Sequence, residues 1–342
     1  MPKILVTGGC GYIGSHTIVD LLENGFEVIS VDSHIRSGAE MLAGVFNVTG
    51  KNVINHQIDL CDAAATADFF SQNADIVAVI HFAALKSVPE SVQKPLLYYQ
   101  NNLNSLANVL DNMQRYGIDN LIFSSSCSVY GNTQELPVRE ETPLQKAESP
   151  YARSKQMCEQ MIADCCAVNP NLNAVLLRYF NPAGAHPSGK MGEIPRANSY
   201  NMVPIMTEIA AGLRDKFTVL GNDYPTRDGS CVRDYIYIMD LADAHTRCLQ
   251  FLLEKRQNQN LEIFNVGIGQ GVTVLEAIKA FEAVIKKPFP YQMGARRAGD
   301  IAAIYANYDK AAQLLGWQPR YGIHTIMETA WQWQQKLTSK ND

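Results

Sequence analysis

The chain has 342 residues, of which 46% are hydrophobic and 18% are charged, and its formal net charge is −5. These values are typical of a soluble globular protein of roughly two domains. The acidic balance disfavours nucleic acid or an anionic membrane surface as a partner. No apolar run approaches the roughly 18 residues that a membrane span needs.

The start of the chain and its cysteines predict a cytoplasmic protein. Residues 1–7 give way to glycines too soon for a secretory signal peptide. The eight cysteines show no paired spacing of metal ligands, so we expect reduced thiols and no metal site. We interpret Cys10 and Cys127 as small fillers rather than nucleophiles, because neither has an activating histidine beside it in the sequence.

The chain opens with a pattern typical of dinucleotide binding. Residues 3–7 predict a buried parallel strand, and a helical pattern runs on to residue 22. Gly8, Gly11 and Gly14 lie between them and let the backbone approach a pyrophosphate at a helix N-terminus. Such a glycine triplet alone is often only a turn, but here it has the strand before it and the helix after it.

A carboxylate follows at the expected distance. Residues 26–31 predict a second strand that ends at Asp32, 24 residues beyond Gly8, where a ribose-binding carboxylate belongs. The alternative is a solvated turn residue at a strand end. A carboxylate here repels a 2′-phosphate and favours NAD over NADP, whereas Arg36 is the nearby feature that would suit NADP.

The alternation of strands and helices then continues and predicts a doubly wound parallel sheet. The predicted strands are 53–58, 76–80, 120–124 and 173–178, and the predicted helices are 63–71, 95–116 and 150–168. Ligands of such sheets bind beyond the carboxyl ends of the strands. Asp32, Asp59, Lys86 and the serines 124–126 all follow predicted strands, although a serine cluster can also be simple turn chemistry.

The segment from Ser149 to Lys155 supplies a candidate proton-transfer pair. Ser149 suits a helix cap and Pro150 the first helical position. Tyr151 and Lys155 are four residues apart, on one face of that helix. A lone Tyr-x-x-x-Lys is usually a surface pair, but Ser126 lies at the same sheet edge and could bond both the phenol and a substrate alcohol.

After residue 181 the strand-helix rhythm breaks and glycine and proline become frequent. We expect a dinucleotide-binding domain over residues 1–180 and a smaller mixed α/β substrate domain over residues 181–342. The helical stretches predicted in the second part are 202–213, 240–254, 272–286, 309–315 and 322–337, and residues 338–342 are expected to be a frayed tail.

Taken together, the motifs resemble the extended short-chain dehydrogenase/reductase family and, more narrowly, the UDP-glucose 4-epimerases within it. The resemblance covers nearly the whole chain. The segments that carry it are Thr7–His16, His81–Lys86, Ser91–Pro95, Ser149–Lys155, Arg178–Pro182, Gly184–Gly189, Gly221–Tyr224, Val232–Tyr235 and Arg296–Asp300.

The resemblance implies a Rossmann sheet, bound NAD, a UDP-hexose substrate and a homodimer formed through helices of the first domain. It implies that Tyr151 is the acid/base, that Lys155 supports it and the cofactor ribose, and that Ser126 bonds the sugar 4-hydroxyl. The implied NAD-binding residues are Gly8, Gly11, Tyr12, Ile13, Gly14, Asp32, Ser33, Asp59, Leu60, Phe82, Ala83, Lys86, Asn101, Ser124, Tyr151, Lys155, Tyr179 and Phe180. The implied substrate-binding residues are Lys86, Ser126, Tyr151, Asn181, Asn201, Leu220, Arg233, Arg297 and Asp300.

The expected chemistry sets requirements for these residues. Inverting C4 of a hexose needs a hydride acceptor, a base for the hydroxyl proton, and a keto sugar that presents both faces. The sugar should therefore be held loosely and the nucleotide tightly. Free tyrosine has a pKa of about 10, and a lysine cation at roughly 5 Å is worth about 3 kcal/mol at a dielectric of roughly 20. The nicotinium charge and the helix dipole act in the same direction and burial opposes them, so we expect a phenol whose pKa is lowered toward about 7.

Several alternatives stay open. Residues 196–200 depart from the Gln-Gly-Ile-Pro-Asn usual in the family, and Ile304 stands where the family varies between tyrosine and smaller residues. The second position leaves open a UDP-N-acetylglucosamine 4-epimerase. A 4,6-dehydratase would need an Asp-Glu pair where Cys127 and Ser128 stand. An NAD-sensing protein without enzymatic activity would usually lack the Tyr151–Lys155 pair.

Overall fold

The structure is a computed structural model that describes residues 1–195, 201–297 and 300–339. Its strands are β1 Lys3–Thr7, β2 Glu27–Val31, β3 Asn55–His56, β4 Ile76–His81, β5 Asn120–Ser124, β6 Asn173–Tyr179, β7 Asn181–Ala183, β8 Phe217–Leu220, β9 Val232–Arg233, β10 Tyr235–Tyr237, β11 Leu261–Val266, β12 Val272–Thr273, β13 Tyr291–Gly294 and β14 Ala303–Ile304. Its helices are α1 Tyr12–Glu23, α2 Glu40–Thr49, α3 Ala63–Gln72, α4 Val88–Gln93, α5 Pro95–Tyr116, α6 Pro150–Val168, α7 Met202–Ala210, α8 Ile238–Leu253, α9 Val274–Ile285, α10 Asp309–Leu315 and α11 Ile323–Ser339. A 3₁₀ turn spans Cys127–Tyr130.

A seven-stranded parallel sheet forms the centre, in the order β11-β6-β5-β4-β1-β2-β3. The chain winds outward from β1 through β2 and β3, then returns to β4 on the other side of β1. The expected doubly wound parallel sheet is therefore confirmed. Such a reversal of direction opens a crevice at the carboxyl ends of β1 and β4, where ligands of these sheets bind.

Each strand contributes to the cores on both faces of the sheet, because successive side chains point to opposite faces. In β1, Ile4 and Val6 join the core under α1 and α8, whereas Leu5 joins the core under α3, α5 and α6. Both cores consist of buried apolar side chains, so the sheet is a platform for the residues at its carboxyl edge.

The helix that carries the tyrosine-lysine pair starts where the sequence predicted. The Ser149 hydroxyl accepts a hydrogen bond from the Ala152 amide at 3.1 Å, and Pro150 is the first residue of α6. By contrast, α2 was not predicted, and β3 has two residues rather than the expected six. β3 is an edge strand beside an exposed Ile54, so less burial supports it.

The second half of the chain builds a smaller layer of short strand pairs under α7, α9 and α11. It also returns to the first half, since β11 is the seventh strand of the main sheet and α8 packs against α1. The division at residue 180 stays a prediction, and these two elements belong spatially to the first unit. No helix in the described ranges is both long and apolar enough to cross a membrane.

Candidate active site

The glycine-rich turn brings the ends of β1 and β4 into contact. Gly8 has a φ of +69°, and a Cβ there would lie 2.9 Å from the Ala83 amide nitrogen. A Cβ on Gly14 would collide with the Gly8 carbonyl. Only glycine permits this close approach, which leaves the N-terminus of α1, beginning at Tyr12, open toward the crevice.

Asp32 is held in place by the turns around it. One carboxylate oxygen accepts from the Cys10 amide at 3.1 Å, and the other from the His34 amide at 2.9 Å and the Ser37 hydroxyl at 2.5 Å. Arg36 pairs instead with Glu90 at 2.7 Å. The guanidinium that would suit a 2′-phosphate therefore has another partner, while the carboxylate that repels one is fixed.

A cleft of about 410 Å³ continues from this carboxylate between the ends of β2, β3 and β4 and helix α5. Asp59 and Asn101 line it together with apolar groups from Leu85 and Leu97. Leu60 is buried beside the cleft, and its carbonyl accepts from Asn108 at 2.8 Å. An apolar cleft with a few polar groups is typical of a site for a flat heterocycle.

The candidate catalytic groups converge at the ends of β5 and α6. Tyr151 packs against Leu85 and Tyr98, and the Ser126 side chain acts on its phenol as a hydrogen-bond partner. The Lys155 ammonium donates to the Ser124 carbonyl at 2.6 Å and lies 4.6 Å from the centre of the Phe123 ring. The structure thus brings Ser126 to Tyr151, whereas the hydrogen bond of Lys155 goes to the strand end.

The expectation of a lowered tyrosine pKa is not met by the residues of the chain. Burial raises the pKa of Tyr151 well above its usual range, with further contributions from Tyr179, Cys127 and Tyr98, while Ser126 opposes the rise. Burial also lowers the pKa of Lys155 to about 8, against the charge of Glu159. The physical reason is that both groups lose water, which disfavours the charged form of each.

Aromatic side chains border the same end of the sheet. The Tyr179 hydroxyl and the Ser124 hydroxyl share a hydrogen bond of 2.8 Å. Phe82 lies 4.6 Å from the buried His245 ring, and Phe180 is buried beside the 3₁₀ turn. Phe82 and Tyr179 thus both lie against the His245 ring, and Tyr179 is close enough to Tyr151 to affect its pKa.

Two arginines from the second half of the chain donate hydrogen bonds to the same carboxylate. Asp300 accepts from Arg297 at 2.7 Å and from Arg233 at 3.3 Å. Arg233 also donates to the Ile301 carbonyl at 2.9 Å. Its charge lowers the pKa of Cys127, which burial raises to about 12. Arg233 is therefore close to the 3₁₀ turn that follows Ser126, and its strand partner Ile304 packs against Val129 of that turn.

A second carboxylate joins two other predicted substrate residues. Glu193 Oε1 accepts from Asn201 at 2.7 Å and lies 3.7 Å from the Lys86 ammonium. Asn181 is fixed through its backbone, since its amide donates to the Asp234 carbonyl at 2.9 Å. Leu220 ends β8 and is partly exposed. Residues 196–200, 298 and 299, which carry part of the predicted motifs, lie outside the described residues.

The remaining predicted cofactor residues have structural contacts of their own. Tyr12 donates to the Gly184 carbonyl at 2.7 Å, and Ile13 packs between the two halves of the chain. The Ser33 hydroxyl accepts from the Ile35 amide at 3.4 Å, and the Ala83 amide donates to Thr7 at 3.3 Å. All eight cysteines are free, and burial raises the pKa of Cys10 to about 12, consistent with an inert filler.

Sequence reasoning missed the buried polar groups behind the site. Glu159 and Arg178 form an ion pair inside the protein, and Asp234 accepts from three backbone amides. Glu159 follows Lys155 by four residues, so the helical spacing that singled out Tyr151 could have been extended by one turn. No group of metal-ligating side chains occurs within the ranges that the structure describes.

The fold, the glycine turn and the tyrosine-lysine helix define a dinucleotide-binding enzyme of the extended short-chain dehydrogenase/reductase type. The family model for GDP-mannose 4,6 dehydratase matches residues 5–330. UDP-glucose 4-epimerase from Bacillus subtilis is 44% identical over 97% of this chain and 96% of that protein. The chain belongs to the UDP-glucose 4-epimerase family.

Solved structures support the same relationship. UDP-glucose 4-epimerase from Bifidobacterium longum, in complex with NAD⁺ and UDP, is 42% identical, covers 98% of both chains and superposes with a TM-score of 0.93. The enzyme from Stenotrophomonas maltophila, with bound NAD and formylated UDP-arabinopyranose, is 41% identical and has a TM-score of 0.95. That match covers 99% of this chain and 100% of the other.

Proposed function

We propose that this protein interconverts UDP-glucose and UDP-galactose, with NAD as a tightly bound cofactor. The observation that carries the proposal is the convergence of Tyr151, Ser126 and Lys155 at the sheet edge, opposite the arginine pair of the second half. The family supports the choice of this reaction from among those possible on the fold.

The residues present suit NAD. The turn at Gly8 and the N-terminus of α1 suit its pyrophosphate, and the fixed Asp32 carboxylate suits a ribose diol. The cleft at Asp59 and Asn101 suits adenine. The aromatic rings of Phe82 and Tyr179 suit the nicotinamide, which supplies reversible hydride transfer to and from C4 of the sugar.

Tyr151 is the general acid/base in this proposal. Its phenol exchanges the proton of the 4-hydroxyl, and Ser126 bonds both that hydroxyl and the phenol. The residues of the chain keep the phenol protonated, so a positive charge beside it is required to make it a base. Lys155 places an ammonium one helical turn from Tyr151 below a pH of about 8, and the cationic nicotinamide of NAD would add the charge that the chain alone does not supply.

Charged side chains hold the nucleotide, whereas few contacts hold the sugar. Arg233 and Arg297 give up part of their pairing with Asp300 to bond the diphosphate, and Lys86 does the same with Glu193. Asn181, Asn201 and Leu220 complete the nucleotide side. A 4-keto sugar anchored only through its diphosphate can turn over and present its other face to the same hydride donor.

The acceptance of sugars with an N-acetyl group depends on the space around Ile304. This residue is buried in a cluster with Val129, Tyr130 and Phe180, and β14 places it beside Arg233. We propose unsubstituted hexoses as the main substrates, because the aliphatic group fills that space. Parallel assays with UDP-N-acetylgalactosamine test this choice.

Dehydration is disfavoured by the residues that follow Ser126. Cys127 is half-buried with a pKa raised to about 12, and the Ser128 hydroxyl oxygen is enclosed. Neither can remove the C5 proton as a carboxylate would. The chain therefore lacks the second acid/base pair that a 4,6-dehydratase needs at these positions.

We further propose a homodimer in a reducing, cytoplasmic compartment. Helices α4, α5 and α6 pack together, and each exposes an aliphatic side chain: Val92 is 62% exposed, Leu96 71% and Met157 41%. Such an apolar surface suits a second copy of the chain. The free cysteines suit reducing conditions. Light scattering of the purified protein tests the dimer, and a monomeric mass contradicts it.

The direct test of the reaction is incubation of the purified protein with UDP-galactose and no added NAD. We expect UDP-glucose to form and the denatured protein to release NAD. If no UDP-glucose forms even with NAD supplied, the proposal fails. Formation of a 4-keto-6-deoxy product would instead identify a dehydratase.

A further inference from the structure

Glu159 lies at the centre of a buried polar network behind the catalytic serine. It follows Tyr151 by about two helical turns and Lys155 by about one, on the same face of α6. Arg178 of β6 donates two parallel hydrogen bonds to the Glu159 carboxylate, of 2.9 Å from Nε and 2.7 Å from Nη2. Both side chains are about 95% buried, so this pair is shielded from water and from salt.

The ion pair contacts both ends of one short segment. At one end, the Ser125 hydroxyl donates to Glu159 Oε1 at 2.5 Å. At the other end, Arg178 Nη1 donates to the Tyr130 hydroxyl at 3.1 Å, and its guanidinium lies over the Tyr130 ring. Ser126 lies between these two attachment points, at the start of the 3₁₀ turn.

The attachment of Tyr130 is itself fixed. Its hydroxyl donates to Asn265 Oδ1 at 2.6 Å, and the Asn265 amide group donates to the Val138 carbonyl at 3.1 Å. The segment from Ser125 to Tyr130 is therefore anchored to α6, β6 and β11 by side chains that do not reach the cleft. Displacing either anchor would move Ser126 relative to Tyr151.

We propose that the Glu159–Arg178 pair is a positioning clamp that sets Ser126 against Tyr151 by holding the segment 125–130 at both ends. The inference rests on the proposed function, because it assigns these residues to the proton-transfer step of that reaction. Glu159 and Arg178 are not among the residues assigned to the substrate or the cofactor, and both side chains are buried. Cys158 and Glu159 also raise the pKa of Lys155 against the effect of burial, which favours its ammonium form one helical turn from Tyr151.

A purely structural ion pair would predict a different outcome from a clamp. Loss of fold stabilisation lowers the melting temperature and leaves the kcat of the folded fraction unchanged. Loss of positioning lowers kcat in protein that remains folded. A misplacement on the order of 1 Å costs up to roughly a hundredfold in rate, so the two roles are separable by kinetics.

The test uses Ser125→Ala, which removes one attachment and leaves the ion pair intact. We expect kcat for UDP-galactose to fall about tenfold, with KM within about twofold of the wild-type value. We also expect hydrogen exchange of the amides in 124–130 to become faster in the folded protein, measured by mass spectrometry without substrate. Glu159→Gln is the stronger variant, but it leaves Arg178 buried without its partner and can fail to fold.

Ser105→Ala is the matched control, because Ser105 is also buried and, among the described residues, its hydroxyl donates to the Asn102 carbonyl of its own helix and not to segment 125–130. If Ser125→Ala keeps kcat within about twofold of this control, the clamp is overturned. A fall in kcat without faster exchange in 124–130 overturns it too. If the wild-type protein does not convert UDP-galactose, the proposed function fails, and the exchange experiment alone then decides whether the segment is clamped.

Discussion

The two sides of the candidate site are built in opposite ways. On the catalytic side, Tyr151 and Lys155 are 8% and 3% exposed and lie on a helix packed against the central sheet. On the proposed nucleotide side, the Arg297 and Lys86 side chains are 45% and 56% exposed and pair with the carboxylates of Asp300 and Glu193. Burial fixes geometry at the cost of desolvating charge, whereas exposure leaves charges free to change partners. The catalytic side should therefore control kcat and the nucleotide side KM.

The largest expected effect is at the phenol. Tyr151→Phe removes the proton-transfer group and should lower kcat by roughly a thousandfold, within the range of general acid/base catalysis. NAD should stay bound, because the ring and its packing remain. Turnover of UDP-galactose and the NAD content of the purified variant check both expectations. Tyr116→Phe, at the far end of α5, is the control, and equal turnover of the two variants would refute the assignment of the base.

The next effect is at Arg233, the better buried of the two arginines. Arg233→Met should raise KM for UDP-galactose about tenfold to a hundredfold, which corresponds to the loss of charge-assisted hydrogen bonds worth roughly 1.5–3 kcal/mol. The kcat value should change by less than about threefold. Steady-state kinetics and UDP binding by calorimetry measure the difference. A fall in kcat with an unchanged KM would contradict the division between the two sides.

Alkaline pH should affect the catalytic side. Because burial lowers the pKa of Lys155 to about 8, its ammonium is lost above that pH, and kcat/KM should fall about tenfold for each further pH unit. The unfolded chain keeps its lysine protonated to higher pH. Between the pKa of folded Lys155 and that of an unfolded lysine, the contribution of Lys155 to the free energy of unfolding therefore increases with pH. Unfolding caused by Lys155 deprotonation therefore cannot explain the loss of activity. A pH profile with parallel melting curves checks this, and a profile that stays flat above pH 8 would exclude the role of the ammonium.

Arg297 should show a smaller effect than Arg233. Its side chain is three times as exposed, so water replaces more of what it contributes. We expect Arg297→Met to raise KM for UDP-galactose by about threefold to tenfold. If this increase in KM exceeds that of Arg233→Met, burial does not determine which of the two arginines contributes more to substrate binding.

The smallest effect should come from the ion pair between Arg296 and Asp223 beside them. Both groups are exposed, although they lie 2.7 Å apart. Asp223→Asn should leave the melting temperature and KM unchanged within experimental error, because surface pairs contribute little. A clear rise in KM would place this pair in the nucleotide site and would extend that site beyond the predicted residues.

The sequence allowed prediction of the side of the site that depends on local pattern. Gly8, Asp32 and the cap of α6 are recognised by spacing along one strand or helix, and the structure places all of them at one sheet edge. The pKa of Tyr151 could not be predicted in this way. It depends on how much water the fold removes from the phenol, and the spacing of residues along the chain does not show this.

The contacts between distant segments were equally hidden from the sequence. Arg178 follows Glu159 by 19 residues, and Asn265 lies 135 residues beyond Tyr130, so no helical or strand period connects them. The same limit explains why β11 was assigned to the second domain. Its pairing with β6 is set by packing of the whole sheet and leaves no local signal in residues 261–266.

The late return of β11 has a consequence for synthesis of the chain on the ribosome. Leu261 follows Tyr179, the last residue of β6, by 82 positions. At roughly 5–20 residues per second, the outer edge of β6 therefore waits on the order of 4 to 16 s for its partner strand. During that interval the nascent sheet presents an unpaired apolar edge that can pair with another chain. The catalytic platform is thus complete only after more than three quarters of the polypeptide has been made, and its assembly depends on protection of that edge until then.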